Sequence, residues 1–129
     1  MQASRQKGRQ NPPQGRVVWI TGLSGAGKTT LARALQRALP GSLLLDGDEL
    51  REALGASGHG FDAESRRRLA LTYARLAGRL ARQGATVIVA TISLFHDLHA
   101  WNRANLPGYV EIFLDVPEDD RRGRDPKGL

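Results

Sequence analysis

The octapeptide GLSGAGKT at residues 22–29 constrains the fold of this 129-residue chain more than any other feature. It matches the pattern G-x-x-x-x-G-K-[ST] without deviation. The apolar, β-branched run VVWIT at 17–21 precedes it, and LARALQRAL at 31–39, which has the apolar spacing of a helix, follows it. Between a buried strand and a helix, this pattern predicts a loop whose backbone N–H groups surround nucleotide phosphates.

Each residue type in this loop has a chemical task. Gly22, Gly25 and Gly27 let the backbone curl so that its N–H groups point inward. Lys28 supplies a positive charge to the β- and γ-phosphates, and the Thr29 hydroxyl can join the coordination shell of Mg²⁺. We therefore predict that a purine nucleoside triphosphate with Mg²⁺ binds here. The predicted contact residues are Gly22, Leu23, Ser24, Gly25, Ala26, Gly27, Lys28, Thr29 and Thr30.

Three classes of protein compete for such a loop: small-molecule kinases, GTPase switches and ATPase motors. Many GTPases read guanine with an N-K-x-D segment, but none of the lysines here follows an asparagine. A motor ATPase places an acidic residue at the end of an apolar strand. The segment IFLD at 112–115 has that outline, although Glu111 interrupts the apolar run. The pattern therefore favours a kinase.

The rest of the chain alternates short apolar strands with helices. The predicted strands are 17–21, 42–46, 85–92 and 109–116, and the predicted helices are 31–39, 48–54, 63–83, 95–105 and 117–124. Apolar strands between helices are typical of an α/β fold with a parallel sheet sandwiched by helices, which binds ligands at the carboxyl ends of its strands. Asp48 is predicted to cap the helix 48–54. We expect the end of strand 42–46 to lie beside the phosphate loop.

Composition limits the other classes of function. The chain has no cysteine, which excludes disulfides and thiolate sites, and its three histidines have no metal-ligand spacing. Two of them, His96 and His99, are expected on the surface of the helix 95–105. No apolar run reaches the roughly 20 residues of a membrane span, and the N-terminus has no apolar region typical of a secretory signal. We therefore expect a cytoplasmic protein without a membrane partner.

The net charge of +6 comes mostly from the N-terminus. Of the 19 basic residues, four lie in residues 1–16, which contain no acid, and the remainder has 15 basic against 13 acidic residues. Prolines, glycines and glutamines make this segment polar and poorly suited to pack. We predict a disordered basic leader at 1–15, one domain at 16–129 and no nucleic-acid partner. A nucleic-acid-binding role for the leader stays open as an alternative.

A second site follows strand 42–46, where two carboxylates, Asp46 and Asp48, precede Arg51. Here the chain resembles the adenylylsulfate kinase family, and the resemblance covers residues 17–129. The segments that carry it stand in the family's order and approximate spacing. They are GLSGAGKTT at 22–30, LLDGDELR at 44–51, GF at 60–61 with Arg66, ISLF at 92–95 and RDPKGL at 124–129.

The resemblance implies an ATP-dependent kinase that transfers the γ-phosphate to the ribose 3′-hydroxyl of adenylyl sulfate. Asp46 and Asp48 would orient or deprotonate that hydroxyl, and Asp48 with Thr29 would hold Mg²⁺. Arg51 and Arg66 would meet the anionic substrate, and Phe61 would stack on its base.

The resemblance gives further residues a role. Lys28 is a catalytic residue by this reading. Ile92 and Ser93 would contact the substrate, and a covalent role for Ser93 is not needed for in-line transfer. Arg124 would lie beside the ATP base. The family also implies a homodimer.

The chain departs from the family pattern at positions where the resemblance implies contacts with the acceptor rather than with ATP. Leu69, Leu71 and Thr72 stand where the family has an asparagine and two arginines, and Leu94 and His96 replace a proline and an arginine. The segment 90–109 resembles a subgroup of homologues associated with bacterial surface polysaccharides, some of which phosphorylate cytidine diphosphoramidate. A kinase of such a conjugate is therefore the alternative.

The family continues beyond RDPKGL with a lid, a fifth strand and a final helix. By comparison the chain is expected to lack the lid and the last strand. A nucleotide-binding fragment without turnover is thus a further alternative.

Overall fold

The structure, a computed structural model, describes residues 14–23, 27–55 and 62–115. The elements are β1 (Arg16–Gly22), α1 (Lys28–Ala38), β2 (Leu43–Asp46), α2 (Gly47–Ala53), α3 (Ala63–Ala81), β3 (Thr86–Thr91), α4 (His96–Asn105) and β4 (Val110–Leu114). The predicted helix at 117–124 and most of the predicted leader lie outside the described residues. None of the helices in the described ranges is long and apolar enough to span a membrane.

The four strands form one parallel sheet in the order β2-β3-β1-β4. All their carboxyl ends therefore lie along one edge of the sheet, as predicted. One expectation was wrong in detail. We expected the end of β2 directly beside the phosphate loop, which follows β1. In the structure β3 lies between β1 and β2, so the carboxyl end of β3 separates the end of β2 from the loop.

Helices cover both faces of the sheet, which confirms the predicted sandwich. Successive residues of a strand point to opposite faces. Val17 and Trp19 of β1 pack with α3 and α4, whereas Val18 and Ile20 pack with α1. Five of the six buried residues of α3 are small, namely Ala70, Ala74, Ala77, Gly78 and Ala81, and the sixth is Tyr73. The four alanines share a core cluster with residues of β1 and β3, so α3 can approach the sheet closely.

The helix ends follow local chemistry, with one correction. The predicted cap of α2 was Asp48, but the helix begins at Gly47 and the cap is Asp46, whose Oδ1 accepts the N–H groups of Asp48 (2.9 Å) and Glu49 (3.2 Å). Asp46 is extended, as an N-cap requires, so its carboxylate reaches two otherwise unsatisfied donors.

The first described residues already take part in the fold. The N–H of Gly15 donates to Ala81 O at 2.7 Å, and that of Arg16 donates to Ala85 O at 3.2 Å. A Cβ at position 15 would lie 1.7 Å from Ala85 O, so only glycine allows this approach. Within the described residues, Gly15 is thus already hydrogen-bonded to the core.

Candidate active site

The phosphate loop connects β1 to α1. Gly22 ends β1, and Gly27 precedes α1 with a φ of 98°, a left-handed conformation that favours glycine. Among the residues that the structure describes, no side chain caps α1, so its first N–H groups can bind an anion. Leu23, Thr29 and Thr30 are exposed beside this end. Ser24, Gly25 and Ala26, which are predicted to contact the nucleotide, lie outside the described residues.

Lys28 begins α1 and lies close to both predicted carboxylates. Its Nζ donates to Leu23 O at 3.0 Å. Burial lowers the pKa of Lys28, and the negative charges of Asp48 and Asp46 oppose that effect. The negative charges of Asp46 and Asp48 thus act on Lys28, as expected when the phosphate loop and the second site follow strands that end at the same edge of one parallel sheet.

A pocket of about 220 Å³ opens where β2 and β3 end. Its walls come from α2, from the first half of α3 and from the residues that follow β3. The lining residues are Asp46, Gly47, Asp48, Arg51, Arg66, Leu69, Tyr73, Ala90, Thr91, Ile92 and Ser93. The structure therefore brings together six residues predicted for the acceptor site, which are Asp46, Asp48, Arg51, Arg66, Ile92 and Ser93. Phe61 and Arg124 lie outside the described residues.

Three consecutive arginines at the start of α3 differ in their contacts. Arg67 donates to Asp97 at 2.7 Å, and Arg68 donates to Glu64 at 3.3 Å. Arg66 lines the pocket instead. Two of the three therefore pair with exposed carboxylates, one of them on α4, and Arg66 is the one of the three that lines the pocket.

Two pocket residues on α3 continue the face on which Arg66 lies. Leu69 and Tyr73 follow Arg66 by three and seven residues, which places all three on one side of the helix. The Tyr73 hydroxyl donates to Gly47 O at 3.3 Å. Burial raises the pKa of Tyr73, so its phenol stays protonated and can donate a hydrogen bond. Tyr73 was not among the predicted site residues; its spacing of seven residues from Arg66 was the available signal.

Gly47 allows α2 to approach β3. A Cβ at this position would lie 3.0 Å from Thr91 Oγ1 and 3.3 Å from Ala90 O. The glycine between the two carboxylates thus keeps the start of α2, with Asp46 and Asp48, against the end of β3.

Ser93 is buried at the floor of the pocket, and its main chain is tied to two other elements. Its N–H donates to Thr21 Oγ1 at 3.2 Å, and its carbonyl accepts from Thr21 Oγ1 at 3.0 Å and from His99 Nε2 at 2.6 Å. Its Oγ lies 3.2 Å from Thr91 Oγ1. The surface position predicted for His99 was therefore wrong, whereas His96 is exposed as predicted.

The known proteins that are similar in sequence to this chain are kinases. A family model described as Adenylylsulphate kinase matches residues 14–129. A cytidine diphosphoramidate kinase of Campylobacter jejuni is 42% identical over 117 residues, which are 88% of this chain and 68% of that protein. An adenylyl-sulfate kinase of Deinococcus deserti is 45% identical over 125 residues, 94% of this chain and 68% of that protein. The chain thus spans about two thirds of each of these relatives.

A solved structure extends the comparison to three dimensions. The Mycobacterium tuberculosis APS kinase CysC, in complex with AMPPNP and APS, superposes with a TM-score of 0.82 and 38% sequence identity. The superposition covers 92% of this chain and 72% of that chain. The fold of the described residues is therefore that of this APS kinase.

Proposed function

Because the chain belongs to the adenylylsulfate kinase family, we propose that it transfers the γ-phosphate of ATP to the ribose 3′-hydroxyl of adenylyl sulfate. One observation carries the proposal. The pocket at the ends of β2 and β3 holds two carboxylates and two guanidinium groups, and its carboxylates are coupled to Lys28 of the phosphate loop. A phosphoryl donor and an anionic acceptor can therefore meet at this edge.

The phosphate loop would hold ATP. The N–H groups at the start of α1 and the ammonium of Lys28 would bind the β- and γ-phosphates. Thr29 and Asp48 would hold Mg²⁺, because one hydroxyl, one carboxylate and phosphate oxygens form the oxygen-rich set that this ion prefers. The ion would neutralise charge on the phosphates.

The pocket would orient the acceptor. Arg51 and Arg66 would pair with its phosphate or sulfate oxygens, since planar guanidinium groups match such anions. Asp46 or Asp48 would accept the proton of the 3′-hydroxyl as its oxygen attacks the γ-phosphorus. ADP then leaves in line, so no covalent intermediate on Ser93 is required.

One feature of the pocket supports an alternative acceptor in place of adenylyl sulfate. Leu69 lines the wall where the family pattern has a polar side chain. An apolar wall removes one hydrogen-bonding group for the acceptor and changes selectivity rather than ATP use. Together with the 42% identity to the Campylobacter jejuni protein, this favours cytidine diphosphoramidate as the alternative acceptor.

The experiment is an acceptor comparison with the full chain. ADP formation is followed with ATP and Mg²⁺ in the presence of adenylyl sulfate, cytidine diphosphoramidate or no acceptor, and phosphorylated products are identified by ³¹P NMR. We expect adenylyl sulfate to give the higher kcat/KM. A higher value for the cytidine conjugate would select the alternative. Acceptor-independent ADP formation, or none with either conjugate, would contradict the proposal.

The control variant is Lys28→Ala, which removes the cation of the phosphate loop without changing the core. It separates turnover at this site from a contaminating activity. Persistence of ADP formation in this variant would show that the measured activity arises elsewhere.

A further inference from the structure

The segment that contains Ser93 lies between β3 and α4 and belongs to neither. The main-chain groups of Ser93 therefore lie outside the regular hydrogen bonding of the described helices and strands. Buried N–H and C=O groups without partners destabilise the folded state. At Ser93 both groups are satisfied, and both by side chains.

Thr21 and His99 hold Ser93 from two different elements. Thr21 is the residue of β1 that directly precedes Gly22 of the phosphate loop, and its hydroxyl contacts both the N–H and the carbonyl of Ser93. His99 comes from the first turns of α4 and contacts the same carbonyl. The three residues are 0%, 7% and 2% exposed for Thr21, His99 and Ser93, so water does not compete for these bonds.

The imidazole of His99 must be the donor in its hydrogen bond to Ser93. A carbonyl oxygen only accepts, so the proton of this bond is on Nε2 of His99. The opposite ring nitrogen, Nδ1, lies 3.9 Å from Oε2 of Glu111 on β4. The other oxygen of Glu111 accepts from the Tyr109 hydroxyl at 2.9 Å and from Arg103 at 3.3 Å. The ring is thus enclosed between the pocket segment and a polar group at the neighbouring strand.

We infer that His99 is a positioning residue, which together with Thr21 clamps the main chain of Ser93 and so sets the affinity of the pocket for the acceptor nucleotide rather than for ATP. This inference rests on the proposed function. The clamp keeps the Ser93 side chain toward Thr91 and the pocket, and it ties the acceptor wall to the strand that leads into the phosphate loop.

The test compares four variants of the full chain. His99→Leu removes the donor to Ser93, and His99→Gln restores a side-chain N–H that can reach the same carbonyl. Thr21→Val removes the hydroxyl and keeps the shape. The matched control is Ala104→Leu, which introduces the same residue at an exposed position of the same helix.

Two measurements are made on each variant. Hydrogen exchange by NMR reports the protection of the Ser93 amide relative to the amides of β1 and β3. Calorimetry gives the dissociation constants of ATP, of adenylyl sulfate and of cytidine diphosphoramidate, the conjugates being titrated with a non-hydrolysable ATP analogue present.

We expect His99→Leu to speed exchange at Ser93 roughly tenfold, as the loss of one buried hydrogen bond implies, and to weaken conjugate binding by a similar factor. ATP binding should stay within about twofold, and His99→Gln should recover most of the loss. An unchanged conjugate affinity, or an equal loss for ATP, would overturn the inference.

Failure of the proposed function is distinguishable from failure of the clamp. If the unmodified chain binds neither conjugate, the proposed acceptor is wrong, and exchange at Ser93 still decides whether the clamp exists. Faster exchange in Thr21→Val and His99→Leu supports the clamp, and unchanged exchange overturns it. If His99→Leu does not fold, hydrogen exchange at Ser93 is compared between Thr21→Val and His99→Gln. Faster exchange in Thr21→Val than in His99→Gln supports the clamp, and equal exchange in both at the unmodified rate overturns it.

Discussion

Asp46 combines a structural and a proposed chemical task, and two substitutions can separate them. Its Oδ1 caps α2 through the N–H groups of Asp48 and Glu49, whereas its charge faces the pocket and Lys28. Asp46→Asn keeps an oxygen that can cap the helix and removes the negative charge. Asp46→Ala removes both.

The expected magnitudes differ by task. Asparagine and aspartate are about equal as N-caps, so Asp46→Asn should change stability by only a few tenths of a kcal/mol. Alanine should cost about 1 kcal/mol, which lowers the melting temperature of a domain of this size by about 3–5 °C. Loss of a general base reduces a rate by about 10²–10⁴, so both variants should lose phosphoryl transfer to that extent.

The assay pairs thermal unfolding with steady-state transfer, and ATP affinity serves as the control. Both variants should bind ATP within about threefold of the unmodified chain, because Lys28 and the start of α1 are retained. Transfer by Asp46→Asn at the unmodified rate would refute the chemical role. A melting temperature of Asp46→Ala equal to that of Asp46→Asn would refute the cap.

Other substitutions test neighbouring parts of the site. Because burial lowers the pKa of Lys28, its charge is lost as the pH rises through a value below 10.5. The ATP affinity measured by calorimetry should therefore fall in alkaline buffer. The affinity of Lys28→Arg should depend less on pH, because arginine stays charged. Gly47→Ala should weaken conjugate binding more than ATP binding, since the added Cβ meets Thr91 Oγ1 at 3.0 Å; equal affinities in calorimetry would show that the contact relaxes. Tyr73→Phe removes the bond to Gly47 O and should lower the free energy of unfolding in urea by about 0.5–1.5 kcal/mol, and an unchanged midpoint would mean that the 3.3 Å contact contributes nothing.

Local patterns predicted much of the fold because each signal had a local cause. The strand before Gly22, the helix after Lys28 and the long helix that ends near Gly84 all follow from apolar spacing and glycine punctuation. The cap of α2 was misassigned by two residues because both carboxylates in Asp46-Gly47-Asp48 suit an N-cap, and only the extended backbone of Asp46 decides between them.

Local sequence patterns could not predict the strand order or the burial of His99. Insertion of β3 between β1 and β2 depends on pairing between residues distant in sequence. His99 and His96 stand on the same short helix, three residues apart, and nothing local tells which one faces the sheet. The pocket itself was predictable, because residues at the carboxyl ends of parallel strands share one edge.

The alanine-rich face of α3 has a consequence for how this site can diverge. The helix that carries Arg66, Leu69 and Tyr73 is buried mainly through alanines, and Ala74 and Ala77 lie in the same core cluster as residues of β1 and β3. A larger residue at Ala74 or Ala77 would cost about 1–3 kcal/mol of packing strain and move the helix outward. If the proposed acceptor site is correct, we expect substitutions at such interior positions to change the preference between conjugates without contacting either of them.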